Sequence, residues 1–238
     1  MKIIIMLLIL LIPLSCLAGT WVQDFENDIL DEWSKNNNLK IDNGSMSFYS
    51  KLGATAIWMK PSNWKNYSLE ASILLAEKLS VGDMEMSLCI YSQAQTMSCY
   101  GFCLQFIGGK YASDEAQINN ILNFVNVTHM VRKKYDIEEN TWYRLKGVID
   151  AKHLSFYINQ ELILETDVAN LLPESGTVGI YVSGVRMLFD DLVIIGDDIP
   201  NVGLPVTNIE HDNKLATSWG HIRKISKRGC LICMKRDN

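Results

Sequence analysis

A chain of 238 residues is long enough for one large β domain or two small ones. With 27 Asp and Glu against 22 Lys and Arg it also lacks the basic excess of a nucleic-acid binder. The charge is unevenly spread: residues 214–238 hold seven Lys/Arg against one Asp, a net of +6, so the net of −5 leaves −11 on the preceding chain. An acidic body with a basic tail excludes a nucleic-acid function for the body and leaves the tail as a solvated end or a contact for an anionic partner.

The first residues read as a signal peptide, 1–18. Met1-Lys2 is a minimal charged start, Ile3 to Leu14 is an apolar run, and Ser15-Cys16-Leu17-Ala18-Gly19 supplies small residues for cleavage. The run is too short to span a bilayer comfortably, so no transmembrane helix is expected in the mature chain. The expected location is secreted, or periplasmic and cell envelope. Acylation at Cys16, as in a lipoprotein, is the alternative, weakened by Pro13.

Short strand candidates then follow one another: 45–49, 54–59, 67–75, 84–91, 100–107, 121–125 and 129–133. The stretch "TWYRLKGVIDAKHLSFYINQELI" (141–163) alternates apolar and polar residues, breaks at Asp150-Ala151-Lys152, alternates again and breaks at Asn159-Gln160. It predicts three consecutive antiparallel strands, 142–149, 154–158 and 162–165, and two more are expected at 176–182 and 187–195. Turn chemistry separates them at Asp42-Asn43-Gly44, Pro61-Ser62-Asn63, Val81-Gly82-Asp83, Gly108-Gly109 and Pro173-Glu174-Ser175-Gly176. Helical periodicity is confined to a turn or two near 168–172 and to Leu215, Trp219, Ile222 and Ile225 in the tail. The expectation is an all-β, two-sheet antiparallel jelly-roll sandwich over 20–196. A Pro/Gly linker at 197–213 and a basic tail with a short helix at 214–238 complete it.

One cysteine of six lies in the leader, leaving Cys89, Cys99, Cys103, Cys230 and Cys233. Five is odd, so at least one thiol stays free or pairs with another chain. Cys89 and Cys103 can face each other across a hairpin near Gln95-Thr96, and Cys230-Leu231-Ile232-Cys233 suits a local disulfide or two idle thiols. One CxxC without a second pair or a nearby His is not a zinc site.

Four stretches carry a family resemblance: Asp24-Phe25 with Trp33, then "NWKNYSLEASI" (63–73), then "NTWYRLKGVIDAKHLSFYINQELI" (140–163), then "GTVGIYVSGVRMLFDDLVI" (176–194). Together they resemble the concanavalin A-like lectin/glucanase superfamily. More narrowly, they resemble the laminin G-like and 3-keto-disaccharide hydrolase-like domains of exported bacterial proteins. The resemblance covers about residues 21–196 and implies the sandwich fold and a carbohydrate or cell-surface glycan as partner. A glucanase on this fold places its carboxylates on one strand as Glu-x-Asp-x-x-Glu. Here only Asp83 and Glu85 share a face in that way, with Met86, Ser87 and Leu88 after them in place of the third acid. They are the catalytic candidates, and a turn aspartate is the plainer reading of Asp83.

Sugar recognition needs an aromatic platform beside amides and carboxylates. Trp58, Trp64, Tyr67, Tyr100 and Gln105 supply the residue types, with His129 on a strand nearby, although Trp142, Phe156 and several of these aromatics are equally needed for a core. Asp190-Asp191 on the closing strand is expected to send one carboxylate inward and one outward. The inner one would accept backbone hydrogen bonds or help hold a structural calcium; no other cofactor is expected. No Gly-x-Ser-x-Gly accompanies the histidines, so nucleophilic triad chemistry has no support. A glycan-binding module leads, with a glycoside hydrolase and an adhesive protein-binding domain as alternatives.

Overall fold

The computed structural model describes residues 18–26, 31–51, 53–80, 82, 84–106, 113–124, 126–171 and 173–203. They form fourteen strands. In chain order these are β1 (Gly19–Gln23), β2 (Leu39–Asp42), β3 (Ser45–Tyr49), β4 (Ala54–Trp58), β5 (Tyr67–Lys78), β6 (Met84–Gln93) and β7 (Ser98–Phe106). Then come β8 (Glu115–Leu122), β9 (Asn126–Lys134), β10 (Trp142–Asp150), β11 (His153–Ile158), β12 (Glu161–Asp167), β13 (Thr177–Ser183) and β14 (Val185–Gly196).

One sheet has eight strands, in the order β12-β11-β10-β5-β14-β3-β2 with β1 added to β14; the other has six, in the order β4-β13-β6-β7-β8-β9. Every strand pairing is antiparallel, as expected for an all-β chain with short connections. The three-strand expectation for 141–163 is met: Leu145 pairs with Ile158 and Phe156 with Leu164. Between the sheets lies the core, built from alternate positions such as Met86, Leu88 and Ile90 on β6, Phe102 and Leu104 on β7, and Leu145 on β10. Phe156 is in this core, whereas Trp142 is only half-buried and outside it.

The structure differs from the sequence reading at several further points. No helix occurs among the described residues, and 168–171 is bend and coil: Val168 donates its N–H to Lys152 O, one step past the His153–Asp167 pair of the β11–β12 hairpin. The apolar run 121–125 is not a strand of its own: β8 ends at Leu122, and Asn123 and Phe124, at φ 52° and 65°, make the β8–β9 turn. The body also extends past Gly196. Residues 199–202 pack beside β1, with Ile199 buried, Val22 N donating to Val202 O and Val202 N to Thr20 O. Gly19 permits this approach, since a Cβ there would lie 1.6 Å from Ile199 O. The rest of the expected linker, the basic tail and the leader up to residue 17 lie outside the described residues. Lastly, Tyr67 and Tyr100 are core residues with no face to offer a ligand.

Tyr67 shows what the core requires of a buried polar group. Its hydroxyl donates to Thr177 O at 2.8 Å and accepts from Tyr91 N at 2.7 Å, joining the two sheets. Tyr67→Phe strands a buried carbonyl and a buried amide, so a loss of about 2–3 kcal/mol is expected. For a domain of this size that is a fall of roughly 5–10 °C in Tm by thermal denaturation, with the fold retained.

Candidate functional site: the outer face of the six-stranded sheet

Strand register assembles a row of side chains that chain order scatters. Across the sheet Trp58 pairs with Gly179, Gly179 with Cys89, Cys89 with Gly101, Gly101 with Asn119 and Asn119 with His129. The neighbouring row runs Ala56, Tyr181, Ser87, Cys103, Gln117, Arg132, and the next Ser183, Glu85, Gln105, Glu115, Lys134. Because side chains alternate, all of these share the face turned away from the core. Of the sequence candidates, Trp58, Glu85, Gln105 and His129 are brought together here.

Hydrogen bonds tie the centre of the face into a chain. His129 Nδ1 lies 2.9 Å from Asn119 Oδ1, and Asn119 Nδ2 donates to Gln117 Oε1 at 3.1 Å. Gln117 Nε2 in turn donates to Glu115 Oε2 at 2.9 Å and to Gln105 Oε1. With the amides so oriented, Asn119 Oδ1 can only accept, which places a proton on His129 Nδ1. Glu115 ends the chain as an acceptor, with the Arg132 guanidinium 3.9 Å away. Ser87, Gln117 and Asn119 are almost fully buried despite lying on the outer face.

Glu85 accepts a hydrogen bond from Ser87 Oγ at 2.8 Å. Burial pushes its carboxyl up from the ordinary range, and hydrogen bonds from Cys103 and Ser87 pull it partly back. Cys103 accepts from Asn119 Nδ2 at 3.3 Å and touches Ser87 Oγ. Burial, then the Glu85 charge, pushes its thiol well up, so it stays protonated and is a structural sulfur, not a nucleophile.

Aromatic side chains border this polar centre. Trp58 lies against Gly179 and packs with Cys89, Cys99 and Ile121. Phe124, in the β8–β9 turn, meets Tyr181 of β13 with ring centroids 5.7 Å apart, although β6 and β7 run between their strands. The two rings therefore reach toward each other over the middle of the sheet. Phe124 carries a positive φ and its N–H donates to Met97 O at 2.9 Å. A bulky residue there is uncommon and costs energy, as residues held at ligand sites often do. Neither Phe124 nor Tyr181 was singled out from sequence, and neither were Ser87, Gln117 and Asn119. The one available signal was an aromatic beside Asn123, a frequent left-handed turn residue.

The remaining candidates fall elsewhere. Trp64 is half-buried against Tyr67, ring centroids 6.1 Å apart. Cys89 and Cys103 are free buried thiols and not the expected pair; Cys89 sits opposite Gly101 and Cys103 opposite Ser87, so the register puts two positions between them. Asp83, Cys230 and Cys233 lie outside the described residues. Asp190 and Asp191 are on the outer face of the other sheet, both half-buried. The expected alternation fails because the register slips between Asp190 and Val193, with Asp191 at φ 51°. Asp190 accepts from Ser45 Oγ at 3.2 Å and from Asp191 N at 2.8 Å. Among the described residues no three His, Cys, Asp or Glu side chains converge as a metal site, and no helix is long and apolar enough to cross a membrane.

Two antiparallel sheets packed face to face, with amides and aromatic rings on one outer face, define a jelly-roll β-sandwich. Comparison with solved structures places it further. The carbohydrate binding module CBM66 from Bacillus subtilis matches with a TM-score of 0.57 at 15% identity, over 70% of this chain and 95% of that one. The Bacillus licheniformis beta-glucanase matches with a TM-score of 0.54 at 12% identity, over 75% and 98%. The carbohydrate recognition domain of Emp47p matches at 0.56 and 10% identity, over 76% and 96%. The fold is the concanavalin A-like sandwich. No family model matches the chain, and no curated protein does.

Proposed function

We propose that this protein is an exported glycan-binding module whose ligand lies on the outer face of the six-stranded sheet. The observation that carries it is the meeting of Phe124 and Tyr181 over a hydrogen-bonded row of Asn119, Gln117, Gln105 and Glu115. Rings stack on the C–H faces of sugars, and the half-buried Gln105 and Glu115, held in place by the buried Gln117 and Asn119, are the amide and carboxylate that exchange hydrogen bonds with hydroxyls. The carbohydrate-binding neighbours share the fold and so support the reading at that level.

Phe124→Gly removes the ring and suits the positive φ, so the fold should hold. Binding to an oligosaccharide array should fall about tenfold or more, the worth of roughly 1.4 kcal/mol of ring contact, with Tm unchanged or slightly raised. Unaltered binding by this variant sinks the assignment of the face.

A glycoside-hydrolase reading rests on a separate observation. Glu85, its carboxyl raised by burial, and Glu115 flank Gln105 in one row, two strand spacings or about 9.6 Å apart at the backbone. Inverting enzymes hold their two carboxyl groups roughly 6.5–9.5 Å apart, a span that side chains standing on one face at this backbone spacing can reach. Shortened oligosaccharides in solution, absent with Glu85→Gln, would establish it. Sugar depletion without shortening, retained by Glu85→Gln, would establish the binding module instead.

A further inference from the structure

Away from the face described above, a cavity of about 620 Å³ opens at one end of the sandwich. It is lined by Lys65, Asn66, Tyr91, Lys152, Leu171 and Glu174, with Ala151 and Asn170 beside them. Its volume falls within the range of small-ligand sites. Three lining residues, Asn66, Tyr91 and Ala151, hold positive φ values of 48°, 52° and 52°. For Tyr and Ala that conformation is disfavoured, and it recurs here at three points around one opening. Tyr91 is turned toward this end by the register slip between Ile90 and Gln93.

The polar groups are predominantly donors. Asn66 Oδ1 is occupied by Ala151 N at 2.9 Å, which leaves the Asn66 Nδ2 protons. Tyr91, buried in the core, accepts at Oη from Asn66 N at 3.2 Å and so holds the Asn66 backbone in place at the rim. Lys152 Nζ uses one proton on Ala169 O at 2.9 Å and keeps two, and Lys65 has three. Against these stands Glu174 as the lining carboxylate, with Asp150 close enough to Tyr91 to influence its phenol. A ligand that answers this set brings acceptors, including a negatively charged group for the two ammonium ions. It also brings hydroxyls for Glu174 and Asn170, and a C–H surface for Leu171.

We propose that this cavity is a second saccharide site, selective for a sugar residue that carries an oxyanion, either a carboxylate or a phosphate ester. Lys65 and Lys152 bind the oxyanion, Asn66 donates to a ring oxygen or hydroxyl, and Glu174 accepts from a hydroxyl. The site stands independently of the outer face, which shares none of these residues.

The test titrates the whole mature chain with glucuronic acid, glucose 6-phosphate, glucose and inorganic phosphate, by calorimetry and by ligand-observed saturation-transfer NMR. The expected result is binding of one or both acidic sugars at least tenfold tighter than glucose and than phosphate alone. Lys65→Gln and Lys152→Gln should each weaken it at least fivefold, and Phe124→Gly should leave it unchanged. The two acidic sugars separate a carboxylate from a phosphate preference. Glucose binding as tightly as its acidic counterparts overturns the oxyanion, and inorganic phosphate binding as tightly as the sugar phosphate overturns the sugar. No binding, or binding indifferent to both lysine variants, overturns the site. Loss with Phe124→Gly assigns the ligand to the outer face and likewise overturns it.

Discussion

Gly179→Ala should lower Tm by several degrees and cost most of the glycan affinity of the outer face, although the residue would touch no ligand. A Cβ at position 179 would lie 2.2 Å from Cε3 and 2.5 Å from Cζ3 of Trp58, and 2.9 Å from Ile57 O. The indole cannot move freely, being packed with Cys89, Cys99 and Ile121. The backbone oxygen belongs to the β4–β13 ladder, where Ile180 pairs with Ile57. Overpacking of this kind costs about 1–3 kcal/mol, hence roughly 2–10 °C at this chain length. The displaced ring would also disturb the row that continues through Cys89 and Gly101 to Asn119. Thermal denaturation and array binding together check the claim. A variant that keeps both its Tm and its affinity would show that Trp58 has room to spare.

Asp190→Asn should stabilise the protein above neutral pH and flatten its stability profile below it. Burial first, and then the Asp191 charge, raise the Asp190 carboxyl from 3.8 to about 7; hydrogen bonds from Asp191 N and Ser45 Oγ offset part of the rise. The folded state therefore holds a proton that the unfolded chain has already lost across this window. Stability falls as pH climbs from about 4 to about 7, and the penalty is complete above that. Three pKa units correspond to about 4 kcal/mol, which screening at this partly exposed carboxyl reduces to about 2. Asn keeps an oxygen for Asp191 N and offers an amide to Ser45 Oγ, so no partner is stranded. Urea melts at pH 4 and pH 8 should show the two proteins converging at the lower pH. The variant should lead by about 2 kcal/mol at the higher one. A wild type equally stable at both would contradict the raised pKa.

The sandwich was legible where one face is dry and the other wet. Residues 142–163 alternate because Leu145, Phe156 and Ile158 face the core while Arg144, Lys146 and Tyr157 face out, and the turns between them carry Asp, Asn and Gln. β8 was not legible, because its outward positions are Gln117 and Asn119 and its inward ones include the small Ala116, so polarity does not mark a face. The neighbouring Ile121 to Val125 run looked more like a strand than β8 did, yet its centre is a turn held by left-handed backbone. The candidate face was legible only in fragments. Trp58, Gln105 and His129 could be proposed as residue types, but their association depends on six strands in register. Tyr67 and Tyr100 were indistinguishable by type from Tyr181, which the register alone puts on the face. The Asp190–Asp191 alternation failed for a similar reason: one bulge reverses the sense of every later position, and nothing in "LFDDLVI" announces it.

The segment beside β1 has a mechanical consequence. Trp21 and Val202 form a parallel bridge, so the chain enters and leaves the body along two neighbouring lines that run the same way. A pull between the two ends drags those lines past each other lengthwise. The bonds from Thr20 N to Asn201 Oδ1, from Val22 N to Val202 O and from Val202 N to Thr20 O are then loaded together and cannot open one after another. A module stretched between whatever lies before Gly19 and whatever follows Gly203 is thus loaded in shear, the direction in which a short β seam resists force best.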